Sequence, residues 1–144
     1  MLKQMLFAAT LALSPLAAMA QDAMHRLAIH VDQDDPQVMN MALNNAQNVA
    51  SYYAEKGETV QIELVAYGPG LNMLISGKSP VEDRISAMSL EMENLTFAAC
   101  GNTIAGMKKK TGADVPVMSE ATVVPSGVVR LMELQEDGWS YVRP

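Results

Sequence analysis

The stretch Leu95-Thr-Phe-Ala-Ala-Cys-Gly-Asn-Thr103 joins a short apolar segment to a glycine and two residues that often begin helices. We predict a buried strand over Leu95–Ala99 that ends at Cys100, and then a helix that Asn102 caps. A strand that passes through one tight turn into a helix is the recurring unit of α/β proteins. The stretch therefore predicts an α/β fold and puts Cys100 at the turn between strand and helix.

The same alternation of strand and helix runs along the rest of the chain. The other predicted strands are His25–Asp32, Val60–Tyr67, Thr122–Val124 and Trp139–Val142. The predicted helices run from Pro36 to about Lys56, from Pro80 to about Met92, from Asn102 to about Lys109 and from Gly127 to Glu136. Their expected start signals are Asp35 with Pro36, a capping box Ser79-Pro80-Val81-Glu82, Asn102, and Ser126.

Because the strands are largely apolar, each is expected to be buried on both faces of a parallel sheet. The prediction is a three-layer α/β/α sandwich on a mostly parallel five-stranded sheet, in an order that the pattern does not fix. Ligands of open parallel sheets bind beyond the carboxyl ends of the strands. The candidate site therefore consists of four turns: Asp32–Asp35, Tyr67–Gly70, Cys100–Thr103 and Pro125–Gly127.

The first 20 residues have the three parts of a secretory signal sequence. Lys3 provides the positive charge, Met5–Leu13 is apolar, and Ala18-Met19-Ala20 is a small-x-small cleavage site. We predict cleavage after Ala20, a single domain over residues 21–144, and a periplasmic or secreted location. Cysteines of exported proteins are usually paired in disulfides, so the single Cys100 calls for an explanation.

Charge and composition exclude several classes of function. Without the signal sequence, nine Lys and Arg stand against 16 Asp and Glu, a net charge of −7. Nucleic acids and anionic membranes favour basic surfaces, so neither is an expected partner. One cysteine and two histidines are too few for a tetrahedral zinc site, and we predict neither a metal nor a cofactor.

Two interpretations of Cys100 follow from its position. A helix that begins directly after it would point backbone N–H groups at the sulfur and favour the thiolate, while Gly101 would allow close approach. Alternatively, Cys100 is a small buried residue at a strand end with no chemistry, as free cysteines often are.

His30 is expected to be a core residue with its hydrogen bonds satisfied rather than a catalytic base. His25 is expected to lie at the exposed start of the strand. Asn40, Asn44 and Asn48 are expected to face solvent, with a subunit interface as the alternative.

The chain resembles the DsrE/DsrF-like family through three motifs. They are Tyr67-Gly-Pro-Gly-Leu71, Phe97-Ala-Ala-Cys-Gly-Asn-Thr103, and Gly127-Val-Val-Arg-Leu-Met-Glu-Leu-Gln135 with Gly138-Trp-Ser-Tyr141. The resemblance implies an α/β/α sandwich and assembly into trimers or hexamers. In the sulfur-relay members, one cysteine carries sulfur as a persulfide between partner proteins. Cys100 is the only residue here that can inherit that role.

The leading functional hypothesis is sulfur transfer through Cys100, with donor and acceptor proteins or small sulfane-sulfur species as partners. Asn102 and Thr103 would orient the turn. The remaining residues expected to line the site are Asp32, Tyr67, Gly68, Pro69, Gly70, Gly101, Ser126 and Gly127. The alternative is a non-catalytic oligomeric protein that binds a small ligand and has an incidental cysteine. A thiol redox function is disfavoured because the chain has no Cys-x-x-Cys motif.

Overall fold

The computed structural model describes residues 24–144, and the predicted signal sequence lies outside this range. The strands are β1 (Met24–Val31), β2 (Thr59–Ala66), β3 (Leu95–Cys100), β4 (Ala121–Val124) and β5 (Ser140–Val142). The α-helices are α1 (Pro36–Glu55), α2 (Glu82–Glu91), α3 (Gly101–Thr111) and α4 (Gly127–Glu136), and a 3-10 helix covers Gly68–Leu74. No helix in this range combines the length and the apolar character needed to cross a membrane.

The five strands form one sheet in the order β4-β3-β2-β1-β5, and every neighbouring pair is parallel. The chain adds strands in one direction from β1 to β4, and β5 then returns to the free edge of β1. This confirms the predicted α/β/α architecture and supplies the strand order that the sequence pattern left open.

Alternate residues of the strands pack into two separate hydrophobic cores, one on each face of the sheet. The larger core joins Leu27, Ile29 and Val31 of β1 to the buried faces of α1, α2 and the 3-10 helix. The smaller core lies on the opposite face, where Ala28, Val65 and Ala98 pack against Leu131 and Leu134 of α4. One face of the sheet therefore carries most of the helices, and α4 packs on the other.

Two start signals behave differently in the structure. Asp35 caps α1 as predicted, because its carboxylate accepts a hydrogen bond from the Gln37 N–H at 2.7 Å. The capping box at Ser79 is wrong, since α2 begins at Glu82 and the Ser79 hydroxyl accepts from the Val81 N–H. The Glu82 carboxylate instead reaches back to the preceding turn and accepts from the Gly77 N–H at 2.7 Å.

The row of asparagines on α1 has a role within the chain. Asn44 and Asn48 are exposed, as predicted. However, the Arg84 guanidinium donates hydrogen bonds to the side-chain oxygens of Asn40 and Asn44. Because Arg84 lies on α2, the row ties two neighbouring helices together.

Candidate functional site

The carboxyl ends of β1, β2 and β3 bring three predicted site residues into one row. Val31 pairs with Ala66, and Ala66 pairs with Ala99. The next residue of each strand continues this register, so Asp32, Tyr67 and Cys100 follow one another across the sheet. Cys100 itself pairs with Val124 of β4. The row is on the α4 side, because an added Cβ on Gly127 of α4 would touch both Tyr67 and Cys100.

Cys100 is both the last residue of β3 and the N-cap of α3. Its sulfur accepts a hydrogen bond from the Thr103 N–H at 3.5 Å, as the side chain of an N-cap residue does. The predicted cap, Asn102, is therefore wrong: it lies inside the first turn and is exposed, and its N–H donates to the Pro125 carbonyl at 3.1 Å. The shift matters, because it places the sulfur directly at the end of the helix rather than two residues before it.

A second helix begins beside Cys100. Gly127, the first residue of α4, lies against the cysteine, and its backbone N–H lowers the pKa of the thiol. A Cβ at Gly127 would lie 2.9 Å from the Tyr67 Cβ and 3.2 Å from the Cys100 Cβ, which is too close for any larger residue without a shift. The glycine thus permits the approach, and two helix N-termini, each with a partial positive charge, meet at one sulfur.

The Thr103 side chain joins the sulfur to the turn after β2. Its hydroxyl oxygen accepts a hydrogen bond from the Gly68 N–H at 2.9 Å. The hydroxyl hydrogen is then free to donate toward the Cys100 sulfur, and this side chain lowers the pKa of the thiol. Gly68 has φ +55°, a conformation that favours glycine, so the turn that presents this N–H depends on that residue.

These contacts oppose the effect of burial on Cys100. The residue is 4% exposed, and burial alone raises the pKa of its thiol. The hydrogen bond from the Thr103 hydroxyl and those from backbone N–H groups of the two helix starts lower that pKa by more, so it lies below its ordinary value. The cysteine is therefore buried, as the core interpretation expects, and also stabilised as a thiolate, as the functional interpretation expects.

The other predicted residues differ in how closely they approach the sulfur. Gly101 follows Cys100, and a Cβ there would lie 2.9 Å from the Val124 carbonyl oxygen. Ser126 is the N-cap of α4, although its side chain makes no capping hydrogen bond. Gly70 packs on the backbone at the end of β1, where an added Cβ would lie 2.4 Å from the Val31 oxygen. Pro69 is exposed in the 3-10 helix. Gly70 and Pro69 thus shape the turn without contributing groups to the thiol.

Sequence reasoning missed a polar cluster beside the row. The imidazole of His30 is 5% exposed, and its Nδ1 lies 2.7 Å from the Tyr141 hydroxyl of β5. Its ring packs against Tyr67, with ring centroids 4.5 Å apart. Arg143, just after β5, donates two hydrogen bonds to one carboxylate oxygen of Asp32. The available signal was a histidine inside an otherwise apolar strand end, but its neighbours could not be named before β5 was known to pair with β1.

Burial governs the titration of the two rings in this cluster. It lowers the pKa of His30, more than the nearby Asp32 carboxylate raises it. Burial also raises the pKa of Tyr67, with a further contribution from the charge of Asp32. Near neutral pH the imidazole is therefore uncharged and the Tyr67 hydroxyl keeps its proton. Among the described residues, no three His, Cys, Asp or Glu side chains are placed to share a metal ion.

No family model matches the chain, and no curated protein matches it. A solved structure is similar, titled as a protein of unknown function, MTH1491, from Methanobacterium thermoautotrophicum. The two chains are 30% identical, and the match covers 83% of this chain and 99% of the other with a TM-score of 0.71. This likeness extends over nearly the whole of the other protein at substantial identity. The chain therefore belongs to the same family as MTH1491.

Proposed function

We propose that the protein is a sulfur carrier that holds sulfane sulfur as a persulfide on Cys100. The observation that supports this most directly is the convergence of two helix N-termini and the Thr103 hydroxyl on one sulfur. Such donors stabilise a thiolate, which is the reactive form of cysteine. The resemblance to the DsrE/DsrF-like family points to the same chemistry.

The transfer needs no external oxidant or reductant. The Cys100 thiolate attacks the outer sulfur of a donor R–S–SH, a new S–S bond forms, and the old S–S bond breaks. The donor leaves as the thiolate RS⁻ with the bonding electron pair, and Cys100–S–SH remains. In the second half, an acceptor thiolate attacks the outer sulfur and Cys100 leaves as a thiolate.

The donors around Cys100 serve in both halves of this reaction. They stabilise the attacking thiolate before uptake and the departing thiolate during release. Because they are held by backbone turns rather than by long side chains, they need little rearrangement when charge develops on the sulfur. Gly127 and Thr103 supply the donors, and Gly68 fixes the Thr103 hydroxyl.

Intact mass measurement after incubation with inorganic polysulfide tests the proposal. We expect a gain of one sulfur atom on the wild-type protein, mapped to Cys100 and lost on treatment with a reductant. Cys100→Ser should gain none. Gly127→Ala should load more slowly, because the new methyl group separates the helix start from the sulfur. If the wild-type protein gains no sulfur during incubation with polysulfide, the proposal is contradicted.

A second candidate is a non-catalytic binding protein with an incidental cysteine. The low exposure of Cys100 favours it, since a buried thiol can serve packing alone. This candidate predicts that native Cys100 resists both polysulfide and small alkylating agents up to the pH at which the protein unfolds. Reaction of the native protein at neutral pH would exclude it.

We also propose, following the family resemblance, that the protein forms a homo-oligomer. Apolar side chains on the α4 side of the sheet remain about half exposed, and a second copy could cover them. They are Val128, Val129 and Met132 of α4. Light scattering should give a mass of three or six chains, and Val128→Lys should reduce it. A monomer at all concentrations would contradict this part.

The predicted export adds a location to this function. We propose that the carrier works in the periplasm or outside the cell, after cleavage behind Ala20. N-terminal sequencing of the protein from the cell envelope should begin at Gln21. Full-length protein confined to the cytosol would contradict it.

A further inference from the structure

Within the described part of the chain, one nitrogen of the His30 imidazole has no hydrogen-bond partner. Nδ1 bonds with the Tyr141 hydroxyl, but Nε2 has no hydrogen-bond partner among residues 24–144. The nearest acidic oxygen is Oδ2 of Asp32 at 4.0 Å, which is beyond hydrogen-bond length. Buried polar nitrogens are nearly always paired, because an unpaired one loses its hydration without compensation. Nε2 therefore points to a group that residues 24–144 do not provide.

Among the described residues, only one oxygen of the Asp32 carboxylate accepts hydrogen bonds. Arg143 donates to its Oδ1 through Nε at 3.0 Å and Nη2 at 2.9 Å. Oδ2 accepts no hydrogen bond from residues 24–144 and faces Nε2 of His30. The Tyr141 hydroxyl can donate to Nδ1 or accept from it, so its bond to His30 persists in either tautomer. In the tautomer with the proton on Nδ1, Nε2 of His30 and Oδ2 of Asp32 are both acceptors, and they lie 4.0 Å apart.

The two acceptors of this pair favour a cation. Oδ2 belongs to a carboxylate, and burial lowers the pKa of His30, so Nε2 of the uncharged imidazole can accept a hydrogen bond near neutral pH. A primary ammonium group has three N–H donors, and it can lie about 2.9 Å from each of two acceptors that are 4.0 Å apart.

We propose that His30 and Asp32 bind the primary ammonium group of the sulfur donor, and that this donor is a small aminothiol persulfide of the cysteine type. The inference rests on the proposed function and deepens it. Asp32 and Cys100 are two strand spacings apart in their row, roughly 10 Å between backbones. A small molecule lying along Tyr67 would span this distance, with its ammonium group at Asp32 and its outer sulfur at Cys100. Arg143, whose Nη1 makes no hydrogen bond within the described range, is placed to receive a carboxylate.

Proton NMR of the two histidine rings tests the ammonium site without any sulfur transfer. The probes are S-methylcysteine, which has the ammonium group and cannot load Cys100, and methylthiopropionate, which lacks only that group. We expect S-methylcysteine to shift the His30 resonances, assigned with a His30→Gln variant, and methylthiopropionate to have no effect. His25 is an internal control, because it lies at the other end of β1 and bonds with Glu58.

Two variants separate a specific site from a general attraction. Asp32→Asn removes the negative charge and should weaken S-methylcysteine binding at least about tenfold, as loss of a charged hydrogen bond does. Asp34→Asn makes the same change two residues on, where the carboxylate accepts from Asn72, and should leave the affinity unchanged. Equal losses in both variants, or equal shifts from both probes, would overturn the proposal.

Loading rates then connect the site to Cys100. Cysteine persulfide should load the wild-type protein at least about tenfold faster than the persulfide of mercaptopropionate, and Asp32→Asn should abolish this difference. Inorganic polysulfide should load both proteins equally. The inference would be overturned if the two persulfides loaded Cys100 at equal rates and S-methylcysteine left the His30 resonances unchanged. A buried water would then be the partner of Nε2, and the carrier function would stand. Absence of loading from every donor would instead refute the carrier function.

Discussion

The ion pair between Glu63 and Arg130 offers a sharp test of how α4 is held on the sheet. Glu63 lies on β2, and its side chain is 10% exposed. The Arg130 guanidinium of α4 donates to both carboxylate oxygens, each at 2.7 Å. Arg130→Met would remove the partner and leave a carboxylate in the small core beside Leu131 and Leu134.

The expected loss follows from the burial of the two partners. Removing one member of a buried ion pair typically costs about 3–5 kcal/mol, because the other charge loses its compensation. Arg130 is 34% exposed, so water already screens part of this pair and would hydrate part of the stranded carboxylate. We therefore expect Arg130→Met to lower the free energy of unfolding by about 2–3 kcal/mol.

Urea denaturation at fixed protein concentration measures the change, and two further variants make it interpretable. Glu63→Leu with Arg130→Met removes both charges and should recover most of the loss. Glu133→Gln removes the weaker partner of Arg130, exposed and 3.8 Å away, and should cost under about 0.5 kcal/mol. The reasoning fails if Arg130→Met costs no more than Glu133→Gln, or if the double variant is as unstable as the single one.

Three other substitutions test the site and its frame. Thr103→Val keeps the shape but removes the hydroxyl donor, so the pKa of Cys100 should rise in a titration of thiolate ultraviolet absorbance; an unchanged pKa would exclude that hydrogen bond. Gly70→Ala should destabilise by about 1–3 kcal/mol in urea, because its Cβ would meet the Val31 oxygen, and a neutral result would contradict the close approach. Burial lowers the pKa of His30 below its ordinary 6.5, so in this range the folded state binds fewer protons than the unfolded state. The free energy of unfolding should therefore fall as the pH drops from about 6.5 through the lowered pKa. His30→Gln should remove that dependence from the pH profile of unfolding, and an identical acid slope in both proteins would argue against it.

The sequence predicted the elements and the sheet edge at which Cys100 lies, because apolar strands and local start signals carry that information. It could not predict that Cys100 itself would cap α3, since Asn102 is the stronger cap by residue type and only the turn geometry decides between them. The approach of Gly127 to the sulfur depends on how α4 crosses the sheet. The His30 cluster depends on the pairing of β5 with β1, which no local pattern encodes. The positions of the strands and helices were thus predictable, whereas individual helix caps and the contacts between distant strands were not.

That strand order also has a kinetic consequence. His30 and Tyr141 are 111 residues apart along the chain, and so are Asp32 and Arg143. Contacts over such separations form slowly, because a long loop must close before they contribute any stability. β1 to β4 can assemble in the order in which they are synthesised, but the outer edge of β1 stays open until β5 arrives. The polar cluster beside Cys100 is therefore completed last, and an incompletely folded chain would present an unpaired strand edge together with a free thiol.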